Sequence, residues 1–342
     1  RAAAVAAPEH LATLIRVQLV RGETTDAKET LAKLKLAAPN TWLAVSEEAR
    51  YLARVGNKKE AARLASATSG PDDADHLTAR VGPLLEEIGC PVDAEAAYKK
   101  ALESAKTPTA HVPLTSFYLR TARQPDAVAV ARKHADGCPT GITARLLCAA
   151  VRSRPDDAVP ASEKDAWKKT VGEVEAWIAA KLRAEPTHPD LLYARAELDD
   201  MAGRYDEEIR ALELALRQVP DHDVYLNNLA TVLALHAKDT SGRPLELINR
   251  AIAKRGPKPH LLDTRAVVLL AANRPADALR DLAVAIALDP RPVFHFHAAL
   301  AYEKAEQEPA RDAAVAEAVK AGLTKALLHP LEWADYGRLC KK

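Results

Sequence analysis

The chain has 342 residues, of which 48% are hydrophobic but only 4% aromatic, so alanine, leucine and valine supply most of the apolar side chains. Alanine and leucine are among the strongest helix formers, and this composition predicts an all-α protein. The 48 basic and 47 acidic residues give a net charge of +1, which argues against a protein built mainly to neutralise nucleic-acid phosphates.

Neither a membrane segment nor a metal site is expected from the sequence. No apolar run reaches the roughly 18 residues that span a bilayer, and the amino terminus lacks the apolar stretch of a signal peptide. We therefore expect no membrane association and a cytoplasmic location, although the missing initiator methionine leaves room for a longer protein. The four cysteines, which have no metal-ligand spacing and are predicted core residues, are Cys90, Cys138, Cys148 and Cys340.

Proline and glycine divide the chain into units of helix, turn, helix and stop. A proline cannot continue a helical hydrogen-bond ladder, and a glycine suits the left-handed residue that ends a helix. Mid-unit turns are predicted at Gly22, Gly56, Gly89 and Gly203. The prolines that recur at intervals of roughly 31 to 37 residues are, with one longer gap, Pro39, Pro71, Pro108, Pro139, Pro186, Pro220, Pro257 and Pro290.

In chain order, about nine hairpins are predicted, followed by a capping helix. They begin near Pro8, Trp42, Asp75, Pro108, Gly141, Pro189, Asp223, Pro259 and Pro292. We expect one continuous array, with four hairpins over residues 1–140 and four more over 189–323. Between them, residues 141–188 form an irregular fifth unit, in which the polar stretch Ser153–Ala161 precedes a long second helix that begins at Ser162. The cap, residues 324–342, is predicted to belong to one helix over Leu323–Leu339.

The unit Pro189–Pro220 resembles the tetratricopeptide repeat, whose pattern is 34 residues long. Ala196, Gly203 and Pro220 match the small residue at position 8, the glycine at position 15 and the proline at position 32. Arg195 at position 7 and Glu208 at position 20 depart from it. The resemblance, which extends to bacterial tandem-repeat proteins, implies an α-solenoid that winds into a right-handed superhelix. Members of this family serve many unrelated functions.

No motif for catalysis or cofactor binding is recognisable, so we expect neither an enzyme nor a cofactor. His295 and His297 are two residues apart, whereas metal-binding pairs on a helix favour a spacing of four, so both are predicted to be surface or groove histidines. Pairs of adjacent aspartates are predicted to be solvated charges or helix starts. They are Asp72–Asp73, Asp156–Asp157 and Asp199–Asp200.

The resemblance implies that the first helix of each unit lines a concave groove through positions 2, 5, 6, 9, 12 and 13. In the first five units these positions hold arginines, which are Arg16, Arg50, Arg54, Arg80, Arg120, Arg145 and Arg152. In the next three they hold mostly acidic and amide residues, which are Asp190, Tyr193, Glu197, Asp200, Asn227, Asn228 and Asp263. Arginine binds carboxylates and phosphates in a planar fork, so the first half is predicted to bind an acidic or phosphorylated segment. Alternatively, arginine serves there only as a soluble helix former.

The leading hypothesis is a non-catalytic scaffold that binds a peptide or helix of a protein partner in its groove. A second hypothesis is that the chain is the regulatory or substrate-recruiting portion of a larger enzyme, such as a kinase or a protease. A third is an RNA-binding helical repeat, which is disfavoured because such proteins are usually basic. No nucleic-acid partner is therefore expected.

Overall fold

The computed structural model describes residues 7–67, 74–154 and 159–340, and within these ranges it contains helices and turns but no strand. The predicted all-α class is confirmed. Five residues named above lie outside the described ranges, and they are Pro71, Asp72, Asp73, Asp156 and Asp157. No helix in the described ranges is both long enough and apolar enough to cross a bilayer.

The chain divides into two compact units. The first comprises the residues up to Pro139 together with Ala149–Val159, and the second comprises Thr140–Cys148 and the residues from Pro160 onward. The helices before the second unit are α1 (Pro8–Arg21), α2 (Thr24–Ala37), α3 (Trp42–Arg54), α4 (Lys58–Ala67), α5 (Ala74–His76), α6 (Gly82–Glu87), α7 (Pro91–Ser104), α8 (Val112–Arg120) and α9 (Gln124–Lys133). A π-helical turn, Leu77–Val81, joins α5 to α6.

One helix, α10 (Thr140–Arg152), contributes residues to both units. The remaining helices of the second unit are α11 (Lys164–Ala184), α12 (Pro189–Met201), α13 (Tyr205–Gln218), α14 (Asp223–Leu235), α15 (Arg243–Arg255), α16 (Pro259–Ala271), α17 (Pro275–Leu288), α18 (Pro292–Lys304), α19 (Glu308–Lys320) and α20 (Trp333–Cys340). In eight of the nine predicted hairpins, the first helix begins within one residue of its expected position. In the fourth hairpin, the first helix begins at Val112 instead of Pro108.

Local chemistry explains most helix boundaries. Pro189, Pro259 and Pro292 each occupy the first residue of a helix, where the missing N–H costs nothing. The turn between α12 and α13 contains Gly203, whose φ of +69° is the left-handed conformation that glycine adopts without strain. The helix expected from Ser162 begins instead at Lys164, after a 3₁₀ turn.

The core is a row of alanine and leucine contacts between successive hairpins. Except for the fifth, each hairpin packs its own two helices together, and some first helices also contact the first helix of the next hairpin, as α1 does with α3, α14 with α16 and α16 with α18. Leu226 and Ile248 are completely buried in the cluster that joins α12 to α16. We call the side of each unit on which its first helices lie its first-helix face.

The prediction of one helix over Leu323–Leu339 is wrong. Two 3₁₀ turns, Lys325–Leu327 and Pro330–Glu332, precede the short α20. The cause is Pro330, which disfavours helical geometry in the residue before it, and Leu328 and His329 are accordingly extended. The segment still covers the last hairpin, since Leu323 and Leu328 are buried against Phe296 and Ala318. We call residues 323–340 the tail.

Candidate binding surfaces

Three of the arginines predicted to line the groove meet at one pocket in the first unit. Arg16 lies on α1, and Arg50 and Arg54 lie four residues apart on α3, on one helix face. The two helices are in contact. The pocket has a volume of about 580 Å³, and its walls are Arg16, Leu19, Val20, Arg50, Ala53, Arg54, Glu87 and Ile88. We call it the arginine pocket.

Two glutamates that the groove prediction missed orient Arg16 and Arg50. The side chain of Glu47 is fully buried, and its Oε1 accepts hydrogen bonds from Arg16 Nε at 2.8 Å and from Arg50 Nη1 at 2.9 Å. Glu87 accepts two more from Arg50, both at 2.7 Å. These bonds from Arg50 hold the pKa of Glu87 below its usual value. The Arg50 guanidinium is thereby fixed between two carboxylates.

Arg54 is available to a ligand. It is exposed, and it has no hydrogen-bond or ion-pair partner among the described residues. The positive charges of the three arginines exceed the negative charges of Glu47 and Glu87 by one, so the surroundings of the pocket carry an excess positive charge. An apolar wall lies beside this charge, and its Val20 is 83% exposed. The pocket therefore offers a cation and an apolar contact next to each other.

The other predicted arginines do not line this pocket. Arg120 donates two hydrogen bonds to Glu86, at 3.0 and 2.7 Å, beside a second pocket that Glu87 and Tyr98 also line. Arg80 is exposed on the π-helical turn, where the extra residue per turn changes the direction of the side chain. Arg145 and Arg152, on α10, are exposed.

The predicted polar residues of α12 and α14 are neighbours in the second unit. The hydroxyl of Tyr193 donates to Glu197 at 3.1 Å and accepts from Asn228 Nδ2 at 3.3 Å. Asn227 in turn donates to Asn228 at 3.3 Å. The ring of Tyr193 stacks on that of Tyr225, with centroids 5.0 Å apart. The four predicted residues thus form one hydrogen-bonded cluster across two adjacent first helices.

Asp263, the last predicted groove residue, is ion-paired inside the chain. Its Oδ1 lies 2.6 Å from Nδ1 of His297, and Nε2 of the same ring lies 2.7 Å from Oε1 of Glu332 in the tail. The prediction that His297 is a surface or groove histidine is wrong, because the residue is only 4% exposed. Glu332, which covers it, is 35 residues away in the sequence, so the helical pattern around His297 gave no sign of the burial.

The charges of this buried triad support one another. Burial alone lowers the pKa of His297, but the charges of Asp263 and Glu332 outweigh burial and raise that pKa well above its usual value. Burial likewise tends to raise the pKa of Glu332, and its attraction to His297 overcomes this and lowers it. Both ring nitrogens are engaged by carboxylates, so His297 has none left to exchange a proton with a substrate.

A second buried network corrects the prediction for Asp199, which is neither a solvated charge nor a helix start, whereas Asp200 is partly exposed. The side chain of Asp199 is 1% exposed and accepts hydrogen bonds from Arg195 at 2.6 Å and from Arg204 at 2.7 Å. Arg195, which departs from the repeat pattern, is therefore the partner of a buried carboxylate. Glu208, the other departure, is 6% exposed, and its Oε2 has no hydrogen-bond partner in the described part of the chain.

Comparison with known proteins bears on the architecture alone. No protein-family model and no curated protein matches the chain. Among solved structures, it is similar to a tetratricopeptide repeat protein from Parabacteroides merdae, with 16% identity, a TM-score of 0.40, and 86% of this chain and 98% of that chain covered. For the human IFIT1 dimer with PPP-AAAA the identity is 15%, the TM-score 0.49 and the coverage 95% and 81%. For yeast Tom70 the corresponding figures are 12%, 0.44, 92% and 78%.

Proposed function

We propose that this protein is a non-catalytic scaffold that binds an extended acidic or phosphorylated segment of a partner protein at the arginine pocket. The observation that carries the proposal is the convergence of Arg16, Arg50 and Arg54 from two successive first helices on one pocket with an excess positive charge. A carboxylate or phosphate at Arg54 gains a charge-assisted hydrogen bond without displacing an existing partner.

Each arginine has a separate role in this proposal. Arg50 is held by Glu47 and Glu87 and shapes the wall, with little of its side chain exposed at 17%. Arg16 is 52% exposed and keeps donor groups available although it bonds to Glu47. Arg54 supplies the unpaired charge. An anion bound between Arg16 and Arg54 therefore meets two guanidinium groups from adjacent helices, of which Arg16 is oriented by Glu47.

The apolar wall favours a protein segment over a bare anion. Leu19, Val20 and Ile88 flank the guanidinium groups. A segment that contains both acidic and apolar side chains satisfies both halves of the pocket. Single-stranded RNA is the competing class of ligand. RNA binding depends on the release of counterions from many phosphates, and a pocket with one excess positive charge releases few of them. A short acidic peptide, in contrast, needs only one or two contacts.

Peptide binding tests the proposal. We expect fluorescein-labelled peptides that alternate leucine with glutamate or phosphoserine to bind the full chain, measured by fluorescence anisotropy. The variant Arg54→Glu is expected to weaken binding at least roughly tenfold, because a lost charge-assisted hydrogen bond costs about 1.5–3 kcal/mol. Arg54 has no partner in the described residues, so its replacement leaves the packing of α3 intact.

Lys33→Glu is the matched control, because it makes the same charge change on an exposed position of α2, the second helix of the preceding hairpin. It should leave peptide affinity within about twofold of the original value. Equal losses of peptide affinity in Arg54→Glu and Lys33→Glu would show that the effect comes from long-range charge. That result would contradict binding at the arginine pocket. Displacement of the peptide by single-stranded RNA, or equal binding of a glutamine and serine version of the peptide, would also count against the proposal.

A further inference from the structure

The tail crosses the first-helix face of the second unit, where it contacts α12 and α18 directly and is linked to α16 through His297. Nε2 of His329 lies 2.9 Å from Oδ1 of Asp200 at the end of α12, a residue 129 positions earlier in the chain. Glu332 lies against His297 of α18, which is paired to Asp263 of α16. Asp200, Asp263 and His297 occupy positions 12, 5 and 6 of their hairpins, which are the positions expected to receive a partner.

The two anchoring side chains of the tail belong to one preformed turn. Pro330 occupies the first position of the 3₁₀ turn Pro330–Glu332. The backbone N–H of His329 donates to Glu332 Oε2 at 3.1 Å, and the N–H of Leu331 donates to His329 Nδ1 at 3.2 Å. This reciprocal cap directs the other imidazole nitrogen to Asp200 and the other carboxylate oxygen to His297. Preorganisation of this kind lowers the entropy cost of binding.

The turn itself is held by polar contacts, whereas apolar burial holds Leu323 and Leu328 before it. Asp200 and His329 retain 32% and 18% of their side-chain exposure, and Leu327 and Trp333 on either side are 52% and 39% exposed. The ring of His329 also lies 5.6 Å from that of Tyr205. The partially exposed ion pair of His329 with Asp200 contributes little net free energy, and a segment with the same groups can replace it.

We propose that this face is a second binding surface, specific for an extended segment with a histidine-proline turn and a carboxylate three residues after the histidine, and that the tail occupies it as an internal ligand. The face complements such a segment in charge, with the Asp200 carboxylate for the histidine and the buried His297 imidazole for the carboxylate. This surface lies in the second unit, so the inference does not depend on the arginine pocket of the first.

The test is binding of a labelled peptide of residues 323–335 to the full chain. In the original chain the tail competes at the high effective concentration of a tethered group, so the peptide should bind weakly. The double variant His329→Ala, Glu332→Ala alters only the tail and removes both of its polar contacts with this face. We expect its affinity for the peptide to be at least tenfold higher, and a peptide that carries the same two replacements should not bind.

Two further variants complete the test. Arg338→Ala, elsewhere in the tail, should leave affinity unchanged, because Arg338 pairs with the partly exposed residues Glu303 and Asp335 and not with Asp200 or His297. Asp200→Asn, added to the double variant, should remove most of the gained affinity. The proposal would be overturned if the peptide bound the original chain and the double variant with equal affinity. It would also be overturned if the peptide did not bind a double variant whose helical circular dichroism is unchanged. If the double variant loses helical signal, His329→Ala alone, which keeps the buried triad, must show the gain, and its absence there also overturns the proposal.

Discussion

Replacing His297 with leucine should lower the free energy of unfolding of the second unit by about 3–5 kcal/mol, measured by urea denaturation followed by circular dichroism. The substitution leaves the buried Glu332 and the partly buried Asp263 without the cation between them, and breaking a buried ion pair carries a cost of this size. His295→Ala is the matched control, on the same helix and with no hydrogen bond to any described residue. It should cost less than about 1 kcal/mol.

A compensating variant separates charge from packing. Adding Asp263→Asn and Glu332→Gln to His297→Leu removes both uncompensated charges and should restore much of the lost stability, because a neutral buried group carries a smaller penalty than an ion. Recovery would assign the loss to electrostatics. If the triple variant were as unstable as His297→Leu, the loss would come from packing around the imidazole, and the argument from the triad would be wrong.

The triad also makes the stability of the original chain depend on pH. The pKa of His297 is raised in the folded state, so its contribution is complete below the unfolded value of about 6.5 and is lost as the pH rises through the folded value. Glu332 acts in the opposite sense, since its lowered pKa makes its contribution present above its unfolded value and lost in acid. The melting temperature should therefore be highest over a pH interval that begins in weak acid, and it should decrease at both lower and higher pH.

Glu208→Gln is expected to stabilise the second unit by about 1–3 kcal/mol at pH 8, where burial of an unpaired carboxylate costs most. Burial, reinforced by Asp200 and Asp199, raises the pKa of Glu208 to about 8. A carboxyl group whose pKa is raised by folding is protonated in the native state, so stability falls as the pH rises from about 4.5 toward 8. Glutamine has the same shape and no charge.

The pH dependence is the decisive part of this experiment. Near pH 4.5 the original chain and Glu208→Gln should have the same urea midpoint, because both side chains are then neutral, and the difference should grow steadily toward pH 8. Glu207→Gln, in the same turn but exposed and paired with Arg210, provides the matched control and should change stability by less than about 0.5 kcal/mol. A pH-independent difference for Glu208→Gln would contradict the burial of its charge.

Most of the fold could be predicted because its boundaries depend on local chemistry. Pro189 and Gly203 determine where α12 starts and where it ends, and neither effect requires knowledge of distant residues. The tail was predicted wrongly even though Pro330 was visible, because its apolar spacing suggested one helix. What settles its path is a set of contacts to Asp200 and His297, residues far away in the sequence.

The site was only partly predictable for the same reason. Repeat register identified Arg16, Arg50 and Arg54, since positions on successive first helices follow from periodicity. Register also assigns Glu47 to position 6 and Glu87 to position 13, but the prediction considered only the arginines of the first five units. Because Glu47 binds Arg16 across 31 residues and Glu87 binds Arg50 across 37, these pairings could not be read from the sequence. Arg195 and Glu208 show that departures from a repeat pattern were informative in themselves. Each marks a buried charge, one paired with Asp199 and one without a hydrogen bond.

Hydrogen–deuterium exchange of the full chain, saturated with the acidic leucine-alternating peptide, tests the proposed function most directly because it locates the bound segment. Binding at the arginine pocket should slow exchange in α1 and α3, the helices that carry Arg16, Arg50 and Arg54, and leave α2 and the described helices of the second unit unchanged. Slower exchange confined to α2 or to the second unit, or no change at saturation, would contradict a binding site on the first-helix face of the first unit.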